Sequence, residues 1–223
     1  MPISPAHNSR AVPDVRSYGS AGKRSVEQSE AARKDALALI AAVPDGAVII
    51  FTDGSSLGNP GPCGAGAQIQ IGDSLVEMVA ALGEGTNIIG EAWAIGMAMQ
   101  YTALHPPRDI YIFSDCQIVI DILNVSAGIR SNLSLMHAVR ALVTTLRRTR
   151  KVFIHWVGGH TGLDGNEAAD RLADLGSRRS ADNGMPCHRS FIGSEYVNSG
   201  AVANSHIDIR NIYTSITISQ VNT

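Results

Sequence analysis

The chain has 223 residues, and its 18 basic and 20 acidic side chains leave a net charge of −2 and a pI near 6.4. That length suits one domain of ordinary size with flanking segments, and the charge balance excludes a protein that grips polyanions through bulk positive charge. Cys63, Cys116 and Cys187 are scattered singly, so neither a disulfide framework nor a zinc site is indicated. No apolar run approaches transmembrane length and the N-terminus lacks a signal-peptide core. The expectation is a soluble intracellular protein away from membranes, with nucleus and cytoplasm not distinguished and oligomeric state unknown.

In chain order, residues 1–24 are rich in Ser, Pro, Gly and Ala and are expected to lack fixed structure. Ser25 and Gln28 resemble a capping box, and Ala32, Ala36, Leu39, Ile40 and Val43 share one face of a helix that Pro44 ends. This helix reads as a linker or as the tail of an upstream domain. Val48–Phe51 is a buried strand, followed at once by Asp53 and a Gly/Ser/Asn/Pro turn, whose glycines let backbone approach a bulky ligand or turn tightly. Residues 65–71 and 75–82 flank Gly72-Asp73 and complete a three-stranded meander.

A helix from about Thr86 to Leu104 buries Ile88, Ile89, Ala92, Ile95, Ala98 and Met99, with Glu91 in its first turns. The strand at 109–113 also ends in an acid, Asp115. Strand, helix, strand makes a right-handed crossover, so this strand lies parallel to the first. Asp53 and Asp115 then converge at the carboxyl ends of the strands, where open α/β sheets bind ligands. Helices at 117–124 and 132–148 follow. Arg147, Arg148, Arg150 and Lys151 close the second against its dipole, at the opposite edge of the sheet.

The strand at 152–157 returns the chain to the acidic edge, into the glycine-rich loop that carries His160. His155, inside the strand, reads as structural. Asp164 and Glu167 read as a capping box, Asn166 and Asp170 share a helix face, and Gly176 is expected to end the helix. The rest is expected to be mostly disordered, with a possible stray strand in NIYTSITI. The domains so drawn are 1–46, a disordered segment and one helix; 47–177, the folded domain; and 178–223, the tail. Residues 45–178 are expected to fold alone.

FTDGSSLGNPGPCGAG, TNIIGEAWAIGMA, IFSDCQIVIDIL and IHWVGGHTGLDGNEAADRLADLG resemble, in order, the four signature blocks of type 1 ribonuclease H. HTGLDGNEAADRLA most resembles the ribonuclease H domains of non-LTR retrotransposon reverse transcriptases. The resemblance implies a three-layer α/β fold with a mixed five-stranded sheet, order 3-2-1-4-5, and helices on both faces. It implies an endoribonuclease that hydrolyses the RNA strand of RNA/DNA hybrids, with a reverse transcriptase as a further partner. It also implies a catalytic set of Asp53, Glu91, Asp115, His160 and Asp170. The four acids would hold two Mg²⁺ ions, replaceable by Mn²⁺, because adding water to an anionic phosphodiester requires charge at both the attacking and the leaving oxygen.

By the same resemblance Asp53 bridges both ions and Asp170 holds the one that activates water. Glu91 and Asp115 hold the one at the leaving oxygen, and His160 assists proton transfer or product release. Gly54, Asn87 and Gln117 fall beside the RNA strand, where 2′-hydroxyls are read, and Asn166 beside the scissile region. Asn59 and Thr86 match positions near the DNA strand or serve as turn and cap residues. Two departures affect substrate affinity. Residues 125–132 replace the extra helix and basic handle of the bacterial enzymes, and Ile88 stands where the family usually has a second Asn. A degenerate domain kept for a structural role is the alternative from a different class.

Overall fold

The computed structural model describes residues 18, 19, 21–183 and 216–221. Of the stretch 1–24 expected to lack fixed structure, residues 1–17 and 20 fall outside them, as does most of the tail. Where it is described the expectation fails, because Tyr18 is buried and residues 21–23 form a 3-10 turn. Six strands form one sheet in the order β5-β4-β1-β2-β3-β6. They are β1 Val48–Ser56, β2 Gly61–Ile71, β3 Ser74–Gly85, β4 Ile110–Ser114, β5 Val152–Trp156 and β6 Ile216–Val221. The expected order 3-2-1-4-5 is present, with parallel β1–β4 and β4–β5 pairs and an antiparallel β1–β2–β3 meander. The strand count is six rather than five because β6 joins β3 antiparallel, from Leu75↔Val221 to Ala80↔Ile216. β6 overlaps the NIYTSITI run where a strand is expected, but strand pairing is non-local, so the sequence carries little sign that this strand joins the sheet edge.

Five helices cover the sheet. They are α1 Val26–Ala41, α2 Asn87–Ala103, α3 Gln117–Leu123, α4 Leu133–Leu146 and α5 Asp164–Asn183. The even-numbered residues of the central strands, such as Val48, Ile50, Ile110, Ile112, Val152 and Ile154, point toward α2–α4 and form the larger core with Trp93, Ile95, Met97, Met99, Val139 and Val143. The other face carries Ile49, Phe51, Tyr111 and Phe113, packed with Ala36, Leu39, Ile40 and Val43 of α1 and the turn after it and with Leu163 before α5. The Ser25–Gln28 capping box forms as expected. But α1 is a layer of the fold, not a free linker: its alanines let it lie close on the sheet, and Ala32 and Ala36 are buried.

α5 passes Gly176 and continues to Asn183, so the domain boundary drawn at residue 177 falls inside a helix. Gly176 is there for close packing, not for a left-handed cap: a Cβ on it would lie 2.4 Å from the Ala80 carbonyl oxygen. One turn further, Ser180 Oγ accepts from Leu82 N and Gly83 N and donates to the Cys63 carbonyl. It thus satisfies backbone groups at the β2–β3 irregularity beside Cys63 and Gly64. The span 45–178 leaves out both α1 and this contact. The start of α5 also differs from the expected box: Asp164 is already helical and Glu167 Oε1 accepts from Gly162 N, outside the helix.

Candidate active site

The last rung of the parallel β1–β4 ladder is Thr52↔Ser114. Asp53 and Asp115 each follow that rung by one residue, which is the convergence that the crossover argument requires. β1 itself runs on to Ser56, five residues past Phe51, because Asp53–Ser56 keep pairing with Gly66–Cys63 of β2. Asp53 therefore lies within a strand, held by a ladder on one side and open on the other.

Glu91 reaches this place because α2 touches the sheet there. A Cβ on Gly54 would lie 2.0 Å from Glu91 N, and one on Gly90 would lie 2.4 Å from the Gly64 carbonyl. No other residue type fits between these backbones. The glycines expected to admit a ligand thus admit the chain's own helix, which sets Glu91 above Asp53. Asn59 Oδ1 accepts from Asn87 N at 3.0 Å and so caps α2 from a distant loop, while Thr86, at the N-cap position, makes no side-chain cap.

Ligand-capable oxygens of Asp53, Glu91 and Asp115 all lie within 4.8 Å of one another. His160, Glu167 and Asp170 form a second such group. A cleft of about 470 Å³ joins them: Asp53, Gly54, Asn87, Glu91, Asp115, Gln117, His160 and Asp170 all line it. Asn166 is buried, with an Oδ1 that has no hydrogen-bond partner. It does not line the cleft, and neither do Asn59 and Thr86.

Asp53 and Glu91 are only 8% and 4% exposed. Burial, then the charges of Asp115 and Asp170, push the Asp53 carboxyl up to about 8, opposed by a hydrogen bond shared with Glu91. Burial first and then the Asp53 charge raise Glu91 well above the carboxylate range. Asp115 is raised by burial, an effect that neighbouring His160 opposes and the Asp170 charge reinforces. Neither of the two ion pairs among the described residues involves these acids. The Glu91 Oε2 atom is buried without a partner. Clustered carboxylate oxygens, one of them buried without a partner and none in an ion pair among the described residues, fit a hard divalent cation.

Three features escaped the sequence reading. Glu167, expected only as a cap, shares a ligand-capable group with His160 and Asp170. Cys116 and Ile118 line the cleft, and burial pushes the Cys116 thiol up to about 11, so it stays neutral. Finally, Arg24 of the N-terminal segment donates to the Gly159 carbonyl at 2.7 Å, beside His160. No local pattern around Arg24 announces that contact, since it depends on where α1 docks.

Comparison with known proteins agrees with this geometry. The RNase H family model matches residues 45–178. Ribonuclease H of Rhizobium etli is 35% identical over 144 residues, covering 58% of this chain and 90% of the relative. Ribonuclease H of Alcanivorax borkumensis is 32% identical over 142 residues, with 58% and 90% covered. Among solved structures, ribonuclease H1 from the halophilic archaeon Halobacterium salinarum matches with a TM-score of 0.50 at 28% identity, covering 62% of this chain and 99% of that one. The N-terminal RNase H domain from Mycobacterium tuberculosis, solved as a maltose-binding-protein fusion, matches at 0.54 and 23% identity, covering 63% of this chain and all of that one (100%). On sequence and on fold, the chain belongs to the ribonuclease H family.

Proposed function

We propose that the protein hydrolyses the RNA strand of RNA/DNA hybrids with two divalent cations, Mg²⁺ in the first instance, leaving 5′-phosphate and 3′-hydroxyl ends. The observation that carries this reading is the set of four carboxylates that line one cleft at a sheet edge and enter no ion pair among the described residues. When bound, the two ions would supply an activated water and charge at the leaving oxygen. Asp53, central to the cluster, would be the shared ligand. Asp170 would complete the water side, and Glu91 and Asp115 the leaving-group side. In the net reaction water adds to phosphorus, the bond from phosphorus to the ribose 3′ oxygen breaks, and that oxygen takes up a proton.

His160 is exposed at the mouth of the cleft, where it can carry a proton between solvent and the reacting oxygens. Gly54, Asn87 and Gln117 line the same cleft and would meet the RNA strand. Gln117 keeps a buried Oε1 without a partner while its amide donates to Asp121 at 2.6 Å, which leaves an acceptor for a 2′-hydroxyl. Asn59 and Thr86 would flank the DNA strand, with Asn59 also capping α2, and Asn166 would sit behind the scissile region.

No extra helix separates α3 from α4, and residues 124–132 alone join them. Hybrid affinity should therefore be low and steeply salt-dependent. A larger polypeptide bearing a reverse transcriptase, of the non-LTR retrotransposon kind, would supply that grip.

The experiment is cleavage of labelled RNA/DNA, RNA/RNA and DNA/DNA duplexes by the full chain in Mg²⁺, in Mn²⁺ and in chelator. Cleavage of only the RNA strand of the hybrid, abolished by chelator, is the expected result. Failure to cut any duplex in either metal would contradict the proposal.

A further inference from the structure

The family match begins at residue 45, yet the segment before it touches the catalytic edge at several points. Tyr18 stacks on Trp156 with ring centroids 5.6 Å apart, and its hydroxyl donates to Asp35 of α1. The Arg24 guanidinium lies 5.5 Å from the centre of the Trp156 ring. Its Nη1 donates to the Gly159 carbonyl at 2.7 Å, and its Nε to the Gly19 carbonyl at 3.2 Å. Trp156 Nε1 in turn donates to the Asp115 main-chain oxygen at 3.0 Å.

The loop so held has little to hold itself. Residues 158–162 include three glycines, and His160 stands at a φ of +54°, a conformation that a non-glycine residue adopts only when its surroundings impose it. Gly159 presses on Asp115, where a Cβ would lie 1.9 Å from Oδ2. Within the loop, Thr161 Oγ1 donates to the Gly158 carbonyl and Gly162 N donates to Glu167. Among the described residues, the hydrogen bond on the Gly159 carbonyl comes from Arg24 alone. A charged donor makes a stronger bond than a neutral one, and a guanidinium lying over an indole loses further freedom.

We propose that Arg24 is a positioning residue for His160: it pins the Gly159 carbonyl against the end of β5 and keeps the imidazole at the mouth of the carboxylate cleft. The N-terminal segment is then part of the catalytic apparatus, although it lies outside the family domain. This rests on the reading that His160 serves turnover.

The test is a double-mutant cycle in the full chain, with Arg24→Ala, His160→Ala and the pair assayed on RNA/DNA hybrid at saturating Mg²⁺. His160→Ala should lower kcat by roughly 10²-fold or less, the range of a proton-transfer contribution. Arg24→Ala should lower kcat about tenfold with KM within about twofold, and should change kcat less than about twofold once His160 is gone. Arg24→Lys, which keeps the charge but not the flat stacking surface, should recover only part of the loss. Amide hydrogen exchange at residues 159–162 should quicken in Arg24→Ala while the central strands keep their protection.

Equal losses on both backgrounds would show that Arg24 acts independently of His160. A raised KM with kcat kept would make it a substrate contact instead. Either result overturns the proposal. Should Arg24→Ala fail to fold, Arg24→Lys takes its place in the cycle, and the same outcomes support or overturn the proposal. Should wild type cut no hybrid, the functional reading fails, and the exchange experiment still decides whether Arg24 holds the loop. Unchanged protection at 159–162 would sink it.

Discussion

The two ends of the sheet carry opposite charges and treat them oppositely. At the carboxyl ends of β1 and β4, Asp53, Glu91, Asp115 and Asp170 face one cleft and take part in no ion pair among the described residues. At the other end Arg147, Arg150 and Lys151 are engaged by the protein itself, apart from the buried Arg150 Nε. Arg147 donates to the Val152 carbonyl, to the Leu123 carbonyl and, at 2.9 Å, to Asn124 Oδ1. Arg150 donates to the Thr102 carbonyl at 3.0 Å, and Lys151 pairs with Asp109. Both clusters are dense runs of like charge, but their hydrogen-bond accounts differ. Basic groups that bond mainly to backbone carbonyls serve the architecture; buried carboxylates crowded together outside any ion pair make a place for something the protein must bind.

The largest effect that would sharpen this contrast is on cleavage. On the proposed mechanism Asp115→Asn removes a carboxylate charge that would ligate metal and changes little else in size, so hybrid cleavage should fall by roughly 10³-fold or more, toward background, the scale of the several kcal/mol that a metal supplies. Hybrid binding, measured by titration, should survive. A variant that still cuts would break the account of the acidic end.

Arg147→Ala should do the reverse. It strands three acceptors and should lower stability by about 1–3 kcal/mol in denaturant melts, with kcat and KM unchanged. Lost hybrid affinity in this variant would mean that the basic end grips nucleic acid after all.

A separate effect is the slope of stability with pH in chelator. Asp53, ordinarily titrating near 4, is pushed to about 8 in the fold, so the folded state binds more protons than the unfolded one between those values. Stability of the metal-free protein should therefore be highest below about pH 4 as far as this group decides it, and should be lost as pH rises toward about 8. Mg²⁺ competes with those protons, and its stabilising effect should grow over the same window. Melting curves from pH 5 to 8 with and without Mg²⁺ check both signs, and a metal-free stability that rises with pH would contradict them.

The acidic end was legible in the sequence because each acid follows a recognisable element boundary, and because chain topology alone brings Asp53 and Asp115 to one edge. The basic end was legible from Arg147 and Arg150 falling between a helix and a strand. What could not be read depends on contacts between distant segments. Gly176 looks like a helix stop in sequence, but its place against Ala80 lets α5 continue to Asn183. Asn59 looks like a turn residue or a DNA contact, and only the folded chain shows it capping α2. α1 looks like a linker because its apolar face is small and rich in alanine, and that smallness is what lets it lie against Phe113 and Val157. A strand was legible in NIYTSITI, which β6 overlaps, but its pairing with β3 was not, because that is set by a strand more than a hundred residues earlier.

The central claim is that the unpaired acids are a repulsive cluster waiting for metal, and Asp53→Asn tests it most directly. Asn keeps the shape and removes a charge disfavoured first by burial and then by the charges of Asp115 and Asp170. In chelator near pH 8 the variant should melt above wild type, by an amount on the order of 1 kcal/mol for one relieved like-charge contact in a partly solvated site. Wild type should then gain stability with the logarithm of Mg²⁺ concentration above Kd, and the variant should gain little. A wild type indifferent to Mg²⁺, or a variant less stable than wild type in chelator, would contradict the account.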